Sequence, residues 1–259
     1  MATIRRSATP AREGIRLWSV AVWIAVWAVL ALVVANDIVL ATPWAVLAAL
    51  FAKLTEAGFY LIVLHSLGKV VLGFLLGTVA AVALGIAGAR FRLIRELFAP
   101  VMLVVKSVPV ASFIILALIW IRPPNLSIFV GFLIVLPIIY AGVAEGISST
   151  DRRLLQMGQV FQLSHSRVLR YIYVPQVLPF FTGASSVALG LCWKAGIAAE
   201  IISLPYYSIG EQLYTAKLYL DIPDVFAWTF VVIGLSLAFE RFFMALLGIA
   251  VRRLEGTRR

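Results

Sequence analysis

The chain has 259 residues, 63% of them hydrophobic and 13% charged, with a formal net charge of +10. A soluble domain of this length is typically about 45–50% apolar and about 25% charged, so the apolar excess cannot be hidden in one globular core and the solvent must be lipid. The positive excess does not require nucleic acid. The arginines sit in short loops between apolar segments, the distribution that the positive-inside rule produces.

The single cysteine, Cys192, lies in an apolar segment. It allows neither a disulfide framework nor a Cys-based metal site within one chain, and reads as a small buried hydrophobe. His65 and His165 are far apart, and a metal site needs several converging ligands.

In chain order, a basic start (Arg5, Arg6, Arg12, Arg16) leads into an apolar run, Leu17–Ala35. This run is close to the roughly 20 residues that cross a bilayer, longer than the roughly 7–15 residues of a signal-peptide core. No convincing small-residue cleavage site follows, so it reads as a retained first span. The outer segment Asp37–Ser66 contains TPWAVLAALFAKL, where Thr42 can cap a short surface helix with Pro43 at its first position. The second span is expected at Lys69–Ala89, with Lys69 near its edge. It holds Gly73 and Gly77 as G-x-x-x-G, with Gly85 and Gly88 further on. Such small residues let helices approach closely in lipid, either within one subunit or at a subunit seam.

Arg90, Arg92 and Arg95 precede the third span, Leu97–Ile121, in which Pro109 removes a backbone donor and can open the helix locally. The fourth span is Leu126–Ile147, with Glu145 near its end. A basic insert follows, then a fifth span at Phe180–Leu204. The loop Pro205–Asp224 carries Tyr206, Tyr207, Tyr214 and Tyr219, which suit a membrane interface or a surface for a delivery protein. The sixth span is Val225–Val251, followed by Arg252, Arg253, Arg258 and Arg259. The fold class is therefore an all-α polytopic membrane protein of about six spans. A basic tail (1–16) and a basic tail (252–259) flank a membrane domain (17–251) with a cytoplasmic insert (148–179). The arginine bias and the even span count place both termini in the cytoplasm.

The insert runs DRRLLQMGQVFQLSHSRVLRYIYVPQVLP, Asp151–Pro179. Arg153–Arg170 can form two short helices lying on the membrane. Leu154, Leu155, Met157, Val160 and Phe161 give an apolar side, and Ser164 can cap a second helix from His165. Pro175 and Pro179 are expected to disrupt the helix before the fifth span. A short structured insert of this kind serves to dock a partner and transmit force. No G-x-x-x-x-G-K-[ST] sequence occurs, so any ATP-driven work needs a nucleotide site on another chain.

Charges within spans usually face an interior or a watery path, because a mid-bilayer charge costs roughly 2.5–3.5 kcal/mol even on lenient scales. Lys106 lies ten residues beyond Glu96, about 15 Å along a helix. Lys194 and Glu200 are six apart, about 240° around one helix, so they do not pair well with each other. Lys106 and Lys194 are candidates to line a path for an anionic or polar solute, with Glu200 as a structural counter-charge. The competing expectation is that all three form buried ion pairs.

An ordered set of short elements carries a family resemblance. Counting back from Val174-Pro175, Gln156-Met157-Gly158 stands where a cytoplasmic loop pattern begins E-A-A. Gln162 stands at its Gly, Leu163-Ser164 at its Ala-Ser, and Arg170 and Pro179 at its later basic and Pro positions. Lys106-Ser107-Val108-Pro109 matches a basic-x-x-Pro element, and Trp120, Trp193, Ala199-Glu200 and Leu220-Asp221 to Phe226 match further elements in order. The chain thus resembles membrane subunits of binding-protein-dependent ABC importers, most closely the nitrate/sulfonate/taurine type. It departs from them at Gln156, Gln162 and Lys194.

The resemblance implies a type I importer permease fold and a transport subunit that is not itself an enzyme. It implies an ATPase contact near Gln156, Met157, Gly158, Gln162, Leu163, Ser164 and His165, and a path near Lys106, Ser107, Pro109, Trp193, Lys194 and Glu200. No cofactor is expected in this chain, with ATP and Mg on two partner ATPase subunits. The other expected partners are a second permease copy, an outer solute-binding protein and membrane lipid, with no nucleic acid. The implied solute is a sulfonate, nitrate, taurine or bicarbonate-like anion, or alternatively a thiamine-precursor pyrimidine. An ATPase-independent secondary transporter or channel is the rival class, but the inverted repeats it predicts are not visible.

Overall fold

The computed structural model describes residues 17–256. The basic residues from Arg5 to Arg16, together with Arg258 and Arg259, lie outside them. Among the described residues the secondary structure is helical: α1 (Leu17–Val34), α2 (Pro43–Thr55), α3 (Phe59–Arg90), α4 (Arg92–Ser107), α5 (Val110–Ala117), α6 (Pro123–Ser148), α7 (Arg152–Val160), α8 (His165–Val168), a π turn (Leu169–Tyr173), α9 (Val174–Ser203), α10 (Ile209–Leu218) and α11 (Ile222–Gly256). Five helical stretches are long and apolar enough to cross a membrane, and α4 with α5 makes a sixth, broken one.

Three helices form the centre, with α6 between α3 and α9. Glycines set the spacing. A Cβ on Gly73 would lie 2.6 Å from the Ile128 carbonyl oxygen, and one on Gly77 2.8 Å from that of Phe132. On the other side of α6, a Cβ on Gly142 would meet the Ala184 methyl at 2.6 Å, and one on Gly146 the Val177 Cα at 2.9 Å. Helices in lipid gain nothing from hydrophobic expulsion, so they associate through such close packing. The G-x-x-x-G of α3 is therefore used inside one subunit. On the outer flank of this core, Phe74 meets Phe239 and Phe243 edge-on, and Phe59 stacks on Trp228. These contacts bring α11 against α3.

Helix α1 is peripheral, with Ala31 its one buried residue. Trp27 ties it down: its indole N–H donates to the Ala41 carbonyl at 3.1 Å and its ring stacks on Phe226. Helix α2 is clamped to the start of α11 by Lys53, whose Nζ lies 3.2 Å from Glu56 and 3.4 Å from Asp224. Burial works against the Lys53 charge, but the Asp224 and Glu56 carboxylates outweigh it and raise its pKa.

The helix that carries the second span, α3, starts at Phe59, ten residues before Lys69. The structure corrects three expectations. The third span is not one helix: α4 and α5 meet at 108°. Pro109 has no N–H to give, and its ring drives Val108 into extended backbone (φ −78°, ψ 131°), which stops α4 there.

Pro175 and Pro179 do not break the fifth span. The helical stretch is continuous from His165 to Ser203, with Pro175 in the first turn of α9 and Pro179 inside it. The π turn just before Pro175 supplies the slack that a missing backbone donor needs. Finally, Thr42 and Ser164 occupy N-cap positions without a side-chain capping bond. The Ser164 hydroxyl faces that of Ser166 at 3.3 Å instead.

Candidate functional site

The insert is one separate helix, α7, seated on the foot of α9. Asp151 caps α7, its carboxylate accepting from the Arg153 N–H at 2.8 Å. The Asp151 N–H donates to Gln176 Oε1 at 2.9 Å, and Gln176 Nε2 donates to the Ile172 carbonyl at 3.2 Å. Gly158 is the contact point in the middle of α7, since a Cβ there would reach Ile172 Cδ1 at 3.2 Å and Val168 Cγ2 at 3.6 Å. One end and the middle of α7 are thus fixed to the π turn and α9.

The C-terminus of α7 closes in a Schellman arrangement. Leu163 N–H donates to the Gly158 carbonyl at 2.9 Å and Gln162 N–H to the Gln159 carbonyl at 3.0 Å. This places Gln162 at φ +50°, the left-handed position that usually takes glycine. The Gly of the loop pattern therefore has a backbone reason, and Gln162 keeps the geometry at a cost of roughly 1–2 kcal/mol. The cap turns Leu163 inward toward Gly158 and leaves Val160 and Phe161 exposed, at 80% and 69%. Gln156, Met157, Gln162, Ser164 and His165 are also exposed, and Leu163 is half-buried. The seven expected coupling residues thus divide into an inner anchor, Gly158 with Leu163, and an outer face formed by the rest.

The expected path residues also divide. Lys106 and Ser107 end α4 and, with Pro109, are exposed at the 108° elbow. The Ser107 hydroxyl is turned back onto the Leu103 carbonyl at 2.9 Å. Behind the elbow lies a cavity of about 40 Å³ lined by apolar side chains such as Val104, Phe113 and Val130. Lys194 is exposed on a stripe of α9 that also holds Phe180, Gly183, Val187 and Leu191. Neither lysine makes an ion pair among the described residues.

Trp193 and Glu200 are buried within the single chain. Trp193 lies edge-on to Phe239 of α11. Glu200 accepts hydrogen bonds from Ser66 and Gly210. The side chains of both residues thus point into the core of the single chain rather than along the exposed Lys194 stripe. Sequence reasoning missed Ser66, Gln176 and Gly210, because each acts on a different helix that only the tertiary packing brings to it. The cap at Asp151 had a local signal, an acidic residue just before a helical run.

Residues 73–256 match the family model described as binding-protein-dependent transport system inner membrane component. A probable ABC transporter permease protein of Brucella melitensis is 30% identical over 93% of this chain and 96% of its own length. The bicarbonate transport system permease protein CmpB of Synechocystis sp. is 25% identical over 72% of this chain and 67% of its own. The nitrate import permease protein NrtB of Leptolyngbya laminosa is 26% identical over 58% and 54%, respectively. A crystal structure of an amino acid ABC transporter with histidines shares the fold, with a TM-score of 0.54 and 13% identity over 73% of this chain and 90% of that one. With its helical membrane architecture and its inner-membrane-component core, the chain belongs to the family of binding-protein-dependent ABC transporter permeases.

Proposed function

We propose that the chain is the permease of an ATP-driven importer for a small anionic or polar solute of the nitrate, sulfonate or taurine kind. In this reading two copies pair around a path, and a separate ATPase docks on each α7 from the cytoplasm. A solute-binding protein delivers its load at the Tyr206–Asp224 surface. Both termini lie in the cytoplasm, as the arginine distribution favours.

The observation that carries the reading is the build of α7. It presents Met157, Val160 and Phe161 to solvent while its inner side is fixed to the foot of a spanning helix. Exposed apolar side chains on a rigid, basic, non-spanning helix suit a protein partner. The chain has no phosphate-binding loop of its own, so the ATP and Mg belong to that partner.

The path is supported by Lys194. A lysine in mid-helix on an exposed face does not point at hydrocarbon without a cost of roughly 2.5–3.5 kcal/mol. That face is therefore best covered by a second copy or by a watery path. Two relatives are named for bicarbonate and nitrate, and the exposed lysines at positions 106 and 194 suit such small anions.

The test is co-purification of the tagged chain with its genomic neighbours in mild detergent. Recovery of an ATPase, and its loss with Val160→Asp or with a charge reversal at Arg167, is the expected result. Solute flux by this chain alone in liposomes would overturn the reading in favour of a channel or secondary transporter.

A further inference from the structure

The head of α9 holds a polar joint that the transport reading leaves unused. Glu200 is fully buried. Its Oε2 accepts from the Ser66 hydroxyl of α3 at 2.8 Å and from the Gly210 N–H of α10 at 3.2 Å. Ser66 Oγ in turn accepts from the Ile209 N–H at 2.9 Å. The first two backbone donors of α10 thus end on side chains from α9 and α3. The Ser208 hydroxyl takes the Glu211 N–H at 3.1 Å. Gly210 lets the backbones touch, since a Cβ there would lie 2.5 Å from Ile201 N of α9.

A buried carboxylate is a poor choice for mere cohesion. Apolar groups of the same volume are often as stable or better, and what directional bonds add is a fixed orientation. The orientation fixed here is that of α10 on α9. At its other end the same helix carries α7, through Gln176 and Gly158. Gln176 and Glu200 lie on one continuous helical stretch, His165–Ser203, about 36 Å apart at 1.5 Å per residue.

We propose that Glu200 is a positioning residue that makes α10 follow α9, so that the state of the coupling helix sets the outer surface offered to a delivering protein. The inference rests on the docking of an ATPase at α7 proposed above.

The experiment uses the permease assembled with its own ATPase in lipid nanodiscs, on a Cys192→Ala background. Spin-label pairs are placed at exposed sites. Leu218 on α10 with Val33 on α1 reports the head, and Leu169 in the π turn with Leu93 on α4 reports the foot. Distances are measured without nucleotide and with ATP trapped by vanadate. ATP is expected to shift both pairs in the otherwise unchanged protein and in Glu200→Gln, which keeps an accepting oxygen. In Glu200→Leu and in the milder Ser66→Ala, the head shift is expected to fall at least two-fold while the foot shift persists.

If Glu200→Leu does not assemble, Ser66→Ala decides. A head shift unchanged in the variants would overturn the joint, as would a head that stays still in the unchanged protein while its foot moves. A foot that ignores ATP in every protein would instead overturn the docking reading and this inference with it.

Discussion

Gln162 shows how a single residue bears the geometry of the turn that ends α7. Its left-handed backbone follows from the two hydrogen bonds that close α7. Gln162→Gly is therefore expected to stabilise the protein by about 0.5–1 kcal/mol, the relief of strain less the entropy that glycine adds to the unfolded chain. Thermal unfolding read by a thiol-reactive dye on buried Cys192 checks this, and an unchanged or lower midpoint would contradict it. Lys53 gives a prediction in pH. Its folded pKa is raised by its carboxylate partners, so its contribution is complete below the ordinary value of 10.5 and is lost as pH climbs through the folded value. Lys53→Met is expected to lower the midpoint equally at pH 6 and 8, with the gap to the parent closing only in strong alkali.

At the scale of elements, the seams of α6 decide stability. Gly77→Leu would drive a side chain into the Phe132 carbonyl and Val135, at a cost of roughly 1–3 kcal/mol or more where backbone must shift. Gly183→Ala meets nothing within 4 Å in the single chain and serves as the contrast. The yield of monodisperse protein should fall for the first and hold for the second.

The long helices were legible in the sequence because an apolar run of spanning length has few other fates in lipid. The break at Pro109 was legible in kind but not in size. A missing donor announces a weak point, whereas the 108° turn depends on how α5 lands on α6 and α9. The persistence of α9 through Pro175 and Pro179 was not legible, since the π turn that precedes Pro175 has no local sequence signature.

For the whole molecule, Lys106 and Lys194 stand exposed without an ion pair among the described residues. If Lys106 and Lys194 line the path, Lys106→Met and Lys194→Met should assemble normally with the ATPase. Each should reduce uptake of the solute carried by the co-purified binding protein about ten-fold or more. Uptake at parental rates by correctly assembled variants would remove both residues from the path. Trp193 serves as a control from the core side: Trp193→Phe, which keeps the packing against Phe239, should change uptake little.

Composition and run length by themselves determined that this is a helical membrane protein of about six spans, and the ordered loop elements determined its family. Both are sums over many residues, so they survive local departures such as Gln162. The tertiary structure alone decided which polar groups are spent inside the chain and which remain free. Ser66 and Glu200 are 134 positions apart, and no periodicity joins them. Only the packing of α3 and α9 around α6 brings hydroxyl, carboxylate and the first N–H groups of α10 together, while it leaves Lys106 and Lys194 exposed, with no ion pair among the described residues. Burial in lipid makes an unsatisfied polar group costly, so the fold as a whole, rather than any one helix, assigns each of them its role.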